Sequence, residues 1–181
     1  MTQPRLLGLS GSLRAGSFNT QLMREAAARF GPAEFSEGNL RLPLYDGDLE
    51  SAEGIPAEVQ MLADQIAAAD AVIIASPEYN QSLTGVLKNA LDWVSRLEGK
   101  PWAGKPVAIV AAAAGRAGGA RGTYALRLAM MPFGAHVLPG PEVLVAGAFR
   151  EFDSEGKLIT ESYQKILDAL MAELRKAAMA G

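Results

Sequence analysis

Five apolar residues in a row, Ala71-Val72-Ile73-Ile74-Ala75, constrain this chain more than any other segment. A strand turns alternate side chains to opposite faces, so a run that is apolar at every position needs both faces covered. A parallel sheet between two layers of helices provides that cover. The rest of the chain supplies the layers. Leu6–Ser10 and Val107–Ala114 read as two more buried strands, Glu34–Leu40 as a weaker one, and Val143-Leu144-Val145 as a fifth. Between them apolar residues recur at helical spacing: Leu22, Met23, Ala26, Ala27 and Phe30, ended by Gly31-Pro32; then Val59, Leu62, Ala63, Ile66 and Ala67. Leu83, Leu87, Ala90, Leu91, Val94 and Leu97 form a third stripe. A helix from about Gly119 to Met131 stops at Pro132 and Gly134, and Tyr163, Ile166, Leu167, Leu170, Met171 and Leu174 mark the last. Leu42–Glu53 is rich in turn residues. Five strand–helix alternations with no break in composition predict one doubly wound α/β domain over residues 1–181.

Composition narrows the partners. The formal net charge is −3, and the tightest basic group, Arg175-Lys176, falls near the end of the last helix, where it complements the helix dipole. Nucleic acid and anionic membranes are therefore not expected partners. No apolar run is long enough to span a bilayer, and Met1–Arg5 lacks the segments of a signal peptide. The absence of cysteine removes disulfides, thiolate catalysis and thiolate metal sites together, and a cytoplasmic location is the expectation. The single histidine, His136, enters a strand and reads as structural, and no carboxylate spacing supports a metal site.

In open α/β sheets ligands bind beyond the carboxyl ends of the strands, at the switch in strand order. The loops leaving strands one, three and four, Ser10–Asn19, Ser76–Ser82 and Ala113–Gly119, should then converge, and all three are rich in Gly, Pro and small polar residues. The first reads Gly11-Ser12-Leu13-Arg14-Ala15-Gly16-Ser17-Phe18-Asn19 and opens a helix, whose first N–H groups lack backbone partners and attract anions. Gly11-x4-Gly16 mimics the start of a P-loop, but Ser17 stands where a nucleoside triphosphatase needs Lys. Gly8-Leu9-Ser10-Gly11 breaks the register of a dinucleotide fingerprint. A terminal monophosphate suits the turn without a lysine, since hydrogen bonds to a charged group contribute roughly 1.5–3 kcal/mol each. An ordinary capped helix after a glycine-rich turn suits the same residues.

The second loop reads Ser76-Pro77-Glu78-Tyr79-Asn80-Gln81-Ser82, followed by Leu87-Lys88-Asn89-Ala90-Leu91-Asp92-Trp93. With the first loop, this resembles the NADPH-dependent FMN reductase family, including its quinone and chromate reductase members. The resemblance implies a flavodoxin-like fold: a five-stranded parallel sheet of order 2-1-3-4-5 with helices on both faces. It also implies noncovalent FMN, NAD(P)H as co-substrate, and a homodimer or homotetramer. Carried over by position, Ser10 and Ser12, Leu13, Arg14, Ala15, Gly16, Ser17, Phe18 and Asn19 would wrap the FMN phosphate, with Ser12, Arg14, Ser17 and Asn19 as its side-chain partners. Pro77, Glu78, Tyr79, Asn80 and Gln81 would line the ring, with backbone N–H groups after Pro77 bonding its carbonyl edge, and Ala113 and Gly115 would approach it from the third loop. Asn89, Asp92 and Trp93 read as braces rather than site residues.

Three positions depart from the family pattern: Gln81, often Gly or aromatic; Thr84, often Pro; and Ala111–Ala114, where relatives often carry Ser or Thr. The first two bear on the rim over the ring, and the third leaves Ala113 only backbone contacts. Arg116 is a candidate for an NADPH phosphate. Arg121, Tyr124 and Glu142 form a candidate polar network at a subunit interface, or else solvated surface. Leu42-Pro43-Leu44-Tyr45-Asp46 resembles the family's loop after strand two, either covering the site or a subunit contact or packing as an ordinary surface loop.

The implied activity is an oxidoreductase: a hydride passes from NAD(P)H to FMN, the nicotinamide leaves, and a quinone, free flavin, azo dye or chromate takes two electrons at the same face, with ping-pong kinetics. The cofactor carries that chemistry, so no catalytic side chain is nominated. A flavodoxin-type electron carrier and an FMN-binding regulatory module are the alternatives.

Overall fold

The computed structural model describes residues 3–180. Its parallel sheet is assembled from β1 (Arg5–Ser10), β2 (Glu34–Gly38), β3 (Ala71–Ala75), β4 (Pro106–Ala113), β5 (His136–Val137) and β6 (Val143–Ala146). The order is β2-β1-β3-β4-β5, with β6 also paired to β4. This is the flavodoxin-like order expected, with one change at the edge. The fifth position is shared by two short strands: β5 pairs with Pro106 and Val107 at the start of β4, and β6 with Val110–Ala113 at its end. The chain between them, Leu138–Glu142, holds two prolines, and proline cannot donate to a ladder. His136 opens β5 and is exposed.

Alternation along the buried strands sorts the core into two layers. Leu6, Ile73, Ala108 and Val110 pack under α1 (Phe18–Phe30) and the long C-terminal helix Glu161–Met179. Leu7, Leu9, Val72, Ile74, Val107 and Ile109 pack on the other face, under helices Ala57–Ala68, Gly85–Val94 and Ala120–Met130. Every residue of β3 is buried, as its unbroken apolar run demands. In chain order these helices are α3, α4 and α5, the C-terminal one is α6, and α2 is Gly47–Glu53.

Most expected boundaries lie within one residue of those observed, and two stretches differ by more. β2 ends at Gly38 instead of Leu40, although Leu40 stays buried at 4% exposure. The turn-rich stretch Leu42–Glu53 contains α2, a seven-residue helix capped by Asp46 with no buried residue. With no buried face it has no apolar stripe, so its period was invisible. Among the described residues no helix is long and apolar enough to cross a membrane, and no group of three or more His, Cys, Asp or Glu could hold a metal ion.

Candidate functional site

The three loops do converge at the carboxyl edge of the sheet, and specific bonds tie them together. The Gly11 N–H donates to the Ala75 carbonyl at 2.8 Å, so the first loop leaves the sheet in register with β3. The Thr84 hydroxyl, at the start of α4, donates to the Gly11 carbonyl at 2.8 Å and accepts the Leu87 N–H at 3.4 Å. Gly11 passes close against α4: an added Cβ would lie 2.5 Å from Leu87 Cδ1, so a larger residue would require Leu87 to move. Thr84 is 1% exposed, so it braces two loops from below and is not at the rim, contrary to expectation.

Asn19 makes the longest-range tie. Its Nδ2 donates to the Ala112 carbonyl at 2.7 Å and its Oδ1 accepts the Ala112 N–H at 2.9 Å. The ladder between β3 and β4 ends at Ala75–Val110, so past that point β4 has lost its neighbour on this side. The carboxamide of Asn19 stands in for the missing strand, offering the same donor and acceptor that a peptide unit would. Asn19 is 4% exposed. The sequence suggested a phosphate contact for this side chain; its Oδ1 and one Nδ2 hydrogen are engaged by β4 instead.

Four first-loop residues are open, whereas Ser17 is buried at 3% exposure and Ser12 is half-buried. Leu13, Arg14, Ala15 and Gly16 are exposed, and an added Cβ at Gly16 would meet nothing within 4 Å. Ser17 caps α1 by accepting the Thr20 N–H at 3.3 Å, which keeps its hydroxyl hydrogen free to donate. That cap leaves the N–H groups of Phe18 and Asn19 without a capping acceptor. Ser10 and Thr20 share a hydroxyl–hydroxyl hydrogen bond of 2.7 Å, so Ser10 braces the turn from behind. The Ser12 hydroxyl accepts the Arg14 N–H at 3.3 Å. A cavity of about 400 Å³ among Val94, Trp102 and Phe133 lies at the opposite, amino edge of the sheet, away from these loops.

The second loop is a tight reversal. Tyr79 and Ser82 exchange backbone hydrogen bonds of 3.1 Å, and the two residues between them, Asn80 and Gln81, have φ of 51° and 65°. Two consecutive left-handed residues define a turn that favours Asn, Asp and Gly; Gln81 is the strained member. Of the backbone donors expected to meet a ring, the Tyr79 N–H is thus spent inside the loop. Pro77 is buried and Glu78 half-buried, while Tyr79, Asn80 and Gln81 are exposed. Glu78 Oε2 accepts the Gly122 N–H at 3.1 Å and its other oxygen lies 4.0 Å from Arg121, locking this loop to the first turn of α5.

The third loop follows β4. Ala113 is half-buried, and Gly115 and Arg116 are exposed, with open space where a Gly115 Cβ would stand. Gly118, at φ 60°, runs against the neighbouring strand: a Cβ there would lie 2.6 Å from the Leu144 carbonyl. The expected polar trio does not meet as one group. Tyr124 bonds Glu142 at 3.4 Å, whereas Arg121 faces Glu78.

Asn89 and Trp93 act as the braces they were read as. Both donate to the Pro43 carbonyl, at 2.9 and 2.8 Å, and Asn89 also accepts the Tyr45 N–H at 2.8 Å. Asp92 pairs with Lys88 on the same helix. The loop after β2 is thereby pinned to α4.

Comparison with known proteins agrees with this fold. Residues 4–150 match the sequence profile described as NADPH-dependent FMN reductase. The chain belongs to the NADPH-dependent FMN reductase family. It is 41% identical over 173 residues to an NAD(P)H-dependent FMN reductase of Pseudomonas aeruginosa, covering 94% of this chain and 93% of that one. It is 42% identical over 175 residues to a quinone reductase of Escherichia coli, covering 94% and 91%. A solved structure of FerB, a flavoenzyme NAD(P)H:(acceptor) oxidoreductase from Paracoccus denitrificans, matches with a TM-score of 0.87 at 29% identity over 98% of each chain. In this member of the FMN reductase family, the sequence pointed to the three loops but not to Thr20 and Arg41, which bond into the first of them. Thr20 carried a signal, a hydroxyl in the first turn of the helix behind Ser10. Arg41 carried none, because its contact spans 28 residues to the Leu13 carbonyl.

Proposed function

We propose that the three-loop rim binds FMN, phosphate in the first loop and ring against the second and third, and that the protein oxidises NAD(P)H at the expense of a quinone or similar acceptor. The observation that carries this is the first loop. It offers an open turn at a helix start, with uncapped N–H groups, a free serine hydrogen and the Arg14 guanidinium, all held on one rigid edge by Asn19 and Thr84. That donor set suits a phosphate monoester, which carries about −1.5 to −2 charges near neutral pH. FMN, when bound, supplies the two-electron chemistry between donor and acceptor. The protein's share is placement. Ser12, Arg14 and Ser17 would anchor the phosphate. The unspent N–H groups of Glu78, Asn80 and Gln81 would face the ring's carbonyl edge. Ala113 and Gly115 would offer backbone alone, which lets a flat ring come close. Tyr79 is the exposed aromatic of the rim and would cover one face of the ring.

Donor and acceptor would use one shared face in turn, which predicts ping-pong kinetics. Tyr124 and Leu128 on α5 and Met131 just beyond its end are 55%, 68% and 73% exposed, and this apolar stripe supports a homodimer or homotetramer, testable by sedimentation. The deciding experiment titrates protein stripped of flavin with FMN and compares Arg14→Ala/Ser17→Ala. Two charge-assisted hydrogen bonds at roughly 1.5–3 kcal/mol each predict at least a ~100-fold loss of affinity. Unchanged affinity in the double variant would remove the first loop from the site.

A further inference from the structure

Resting on the FMN reading above, we propose that Arg41 is a positioning residue of the phosphate turn and its second positive charge, through which this chain prefers flavins bearing a 5′-phosphate over riboflavin. Arg41 Nη2 donates to the Leu13 carbonyl at 2.9 Å, while Ser12 Oγ accepts the Arg14 N–H at 3.3 Å. These are the two poles of one peptide unit. Because that unit is planar, holding its carbonyl from one side and its N–H from the other fixes the plane, and with it the direction in which Arg14 leaves the backbone. The open part of the turn, exposed and with a glycine at its end, has no comparable restraint.

Arg41 is itself held on a short tether. Its own N–H donates to Asn39 Oδ1 at 2.9 Å, its predecessor Leu40 is 4% exposed, and two residues on the Pro43 carbonyl takes two side-chain hydrogen bonds from α4. The guanidinium is therefore delivered to the turn by fixed backbone on both sides. Its charge is uncompensated: among the described residues, carboxylates pair with Arg5, Arg24, Arg29, Arg96 and Arg121, but none pairs with Arg14 or Arg41. One guanidinium donor is spent on Leu13, leaving others free. Two unpaired guanidiniums flanking a turn with uncapped N–H groups suit a dianion and offer nothing to a neutral ribityl chain end.

The test uses full-length protein stripped of flavin, titrated with FMN and separately with riboflavin by flavin fluorescence, for the wild type, Arg41→Met and Arg41→Lys. From the range for exposed charge pairs and charged hydrogen bonds, Arg41→Met should weaken FMN about 5- to 20-fold and riboflavin less than ~2-fold. Arg41→Lys, which keeps the charge and a donor, should recover FMN to within ~3-fold of wild type. Raising salt from about 20 to about 500 mM should weaken FMN more in the wild type than in Arg41→Met, because screening acts on the charge that variant lacks. Equal losses for both flavins, no loss for either, or no recovery by lysine would overturn the assignment. Wild-type protein that binds neither flavin would instead overturn the FMN reading, and this inference with it.

Discussion

Replacing Asn19 with alanine isolates a side chain that joins the first loop to the fourth strand. The substitution removes two hydrogen bonds, of 2.7 and 2.9 Å, and leaves both backbone groups of Ala112 without partners at a position 4% exposed. A buried group deprived of its partner costs about 1–3 kcal/mol, so two orphaned groups cost roughly 2–6, with water entering the vacated space pulling the value toward ~3 kcal/mol. In urea, with a slope of about 2–3 kcal/mol/M, that is a midpoint lowered by ~1–1.5 M. In heat it corresponds to a fall of ~6–12 °C for a chain of this size. The assay is equilibrium unfolding of flavin-free protein by circular dichroism, repeated with saturating FMN. The bracing role requires the loss in both conditions. A midpoint shift below ~0.3 M without FMN, with a large shift only in its presence, would refute the bracing role. It would make Asn19 the phosphate partner that its sequence position suggested.

Other substitutions test the second and third loops. Gln81→Gly relieves a left-handed φ of 65° at an exposed position, so the protein should gain ~0.5–1 kcal/mol and melt ~2–3 °C higher. A lower melting temperature would mean the Gln81 side chain supports the turn. Gly118→Ala should destabilise by ~3 kcal/mol or more, because a Cβ would lie 2.6 Å from the Leu144 carbonyl and φ there is 60°. Chemical denaturation measures it, and a loss under ~1 kcal/mol would show that the loop can shift away from β6.

How much was legible depends on whether the signal was local. The unbroken apolar run of β3, the helical stripes and the Gly/Pro-rich loops each lie within a few consecutive residues, and all were readable. So was the meeting of Ser10–Asn19 and Ser76–Ser82 at one edge of the sheet, because loops that leave neighbouring parallel strands emerge on the same side. Asn89 and Trp93 were legible as braces, though not what they brace. Illegible were α2, whose lack of a buried face erases periodicity, and the division of the last strand into β5 and β6.

The sequence by itself therefore determined the layers and the stretches that form the rim, since burial period and turn chemistry are written in neighbouring residues, while the strand order came from the family resemblance. Only the tertiary structure decided which polar side chains hold the scaffold. Asn19 and Thr84 look in sequence like rim residues, yet they are buried against Ala112 and Gly11, while Arg41, far away in sequence, bonds the first loop at Leu13. The physical reason is that a hydrogen bond is set by distance in space, and these partners are 93, 73 and 28 residues apart along the chain.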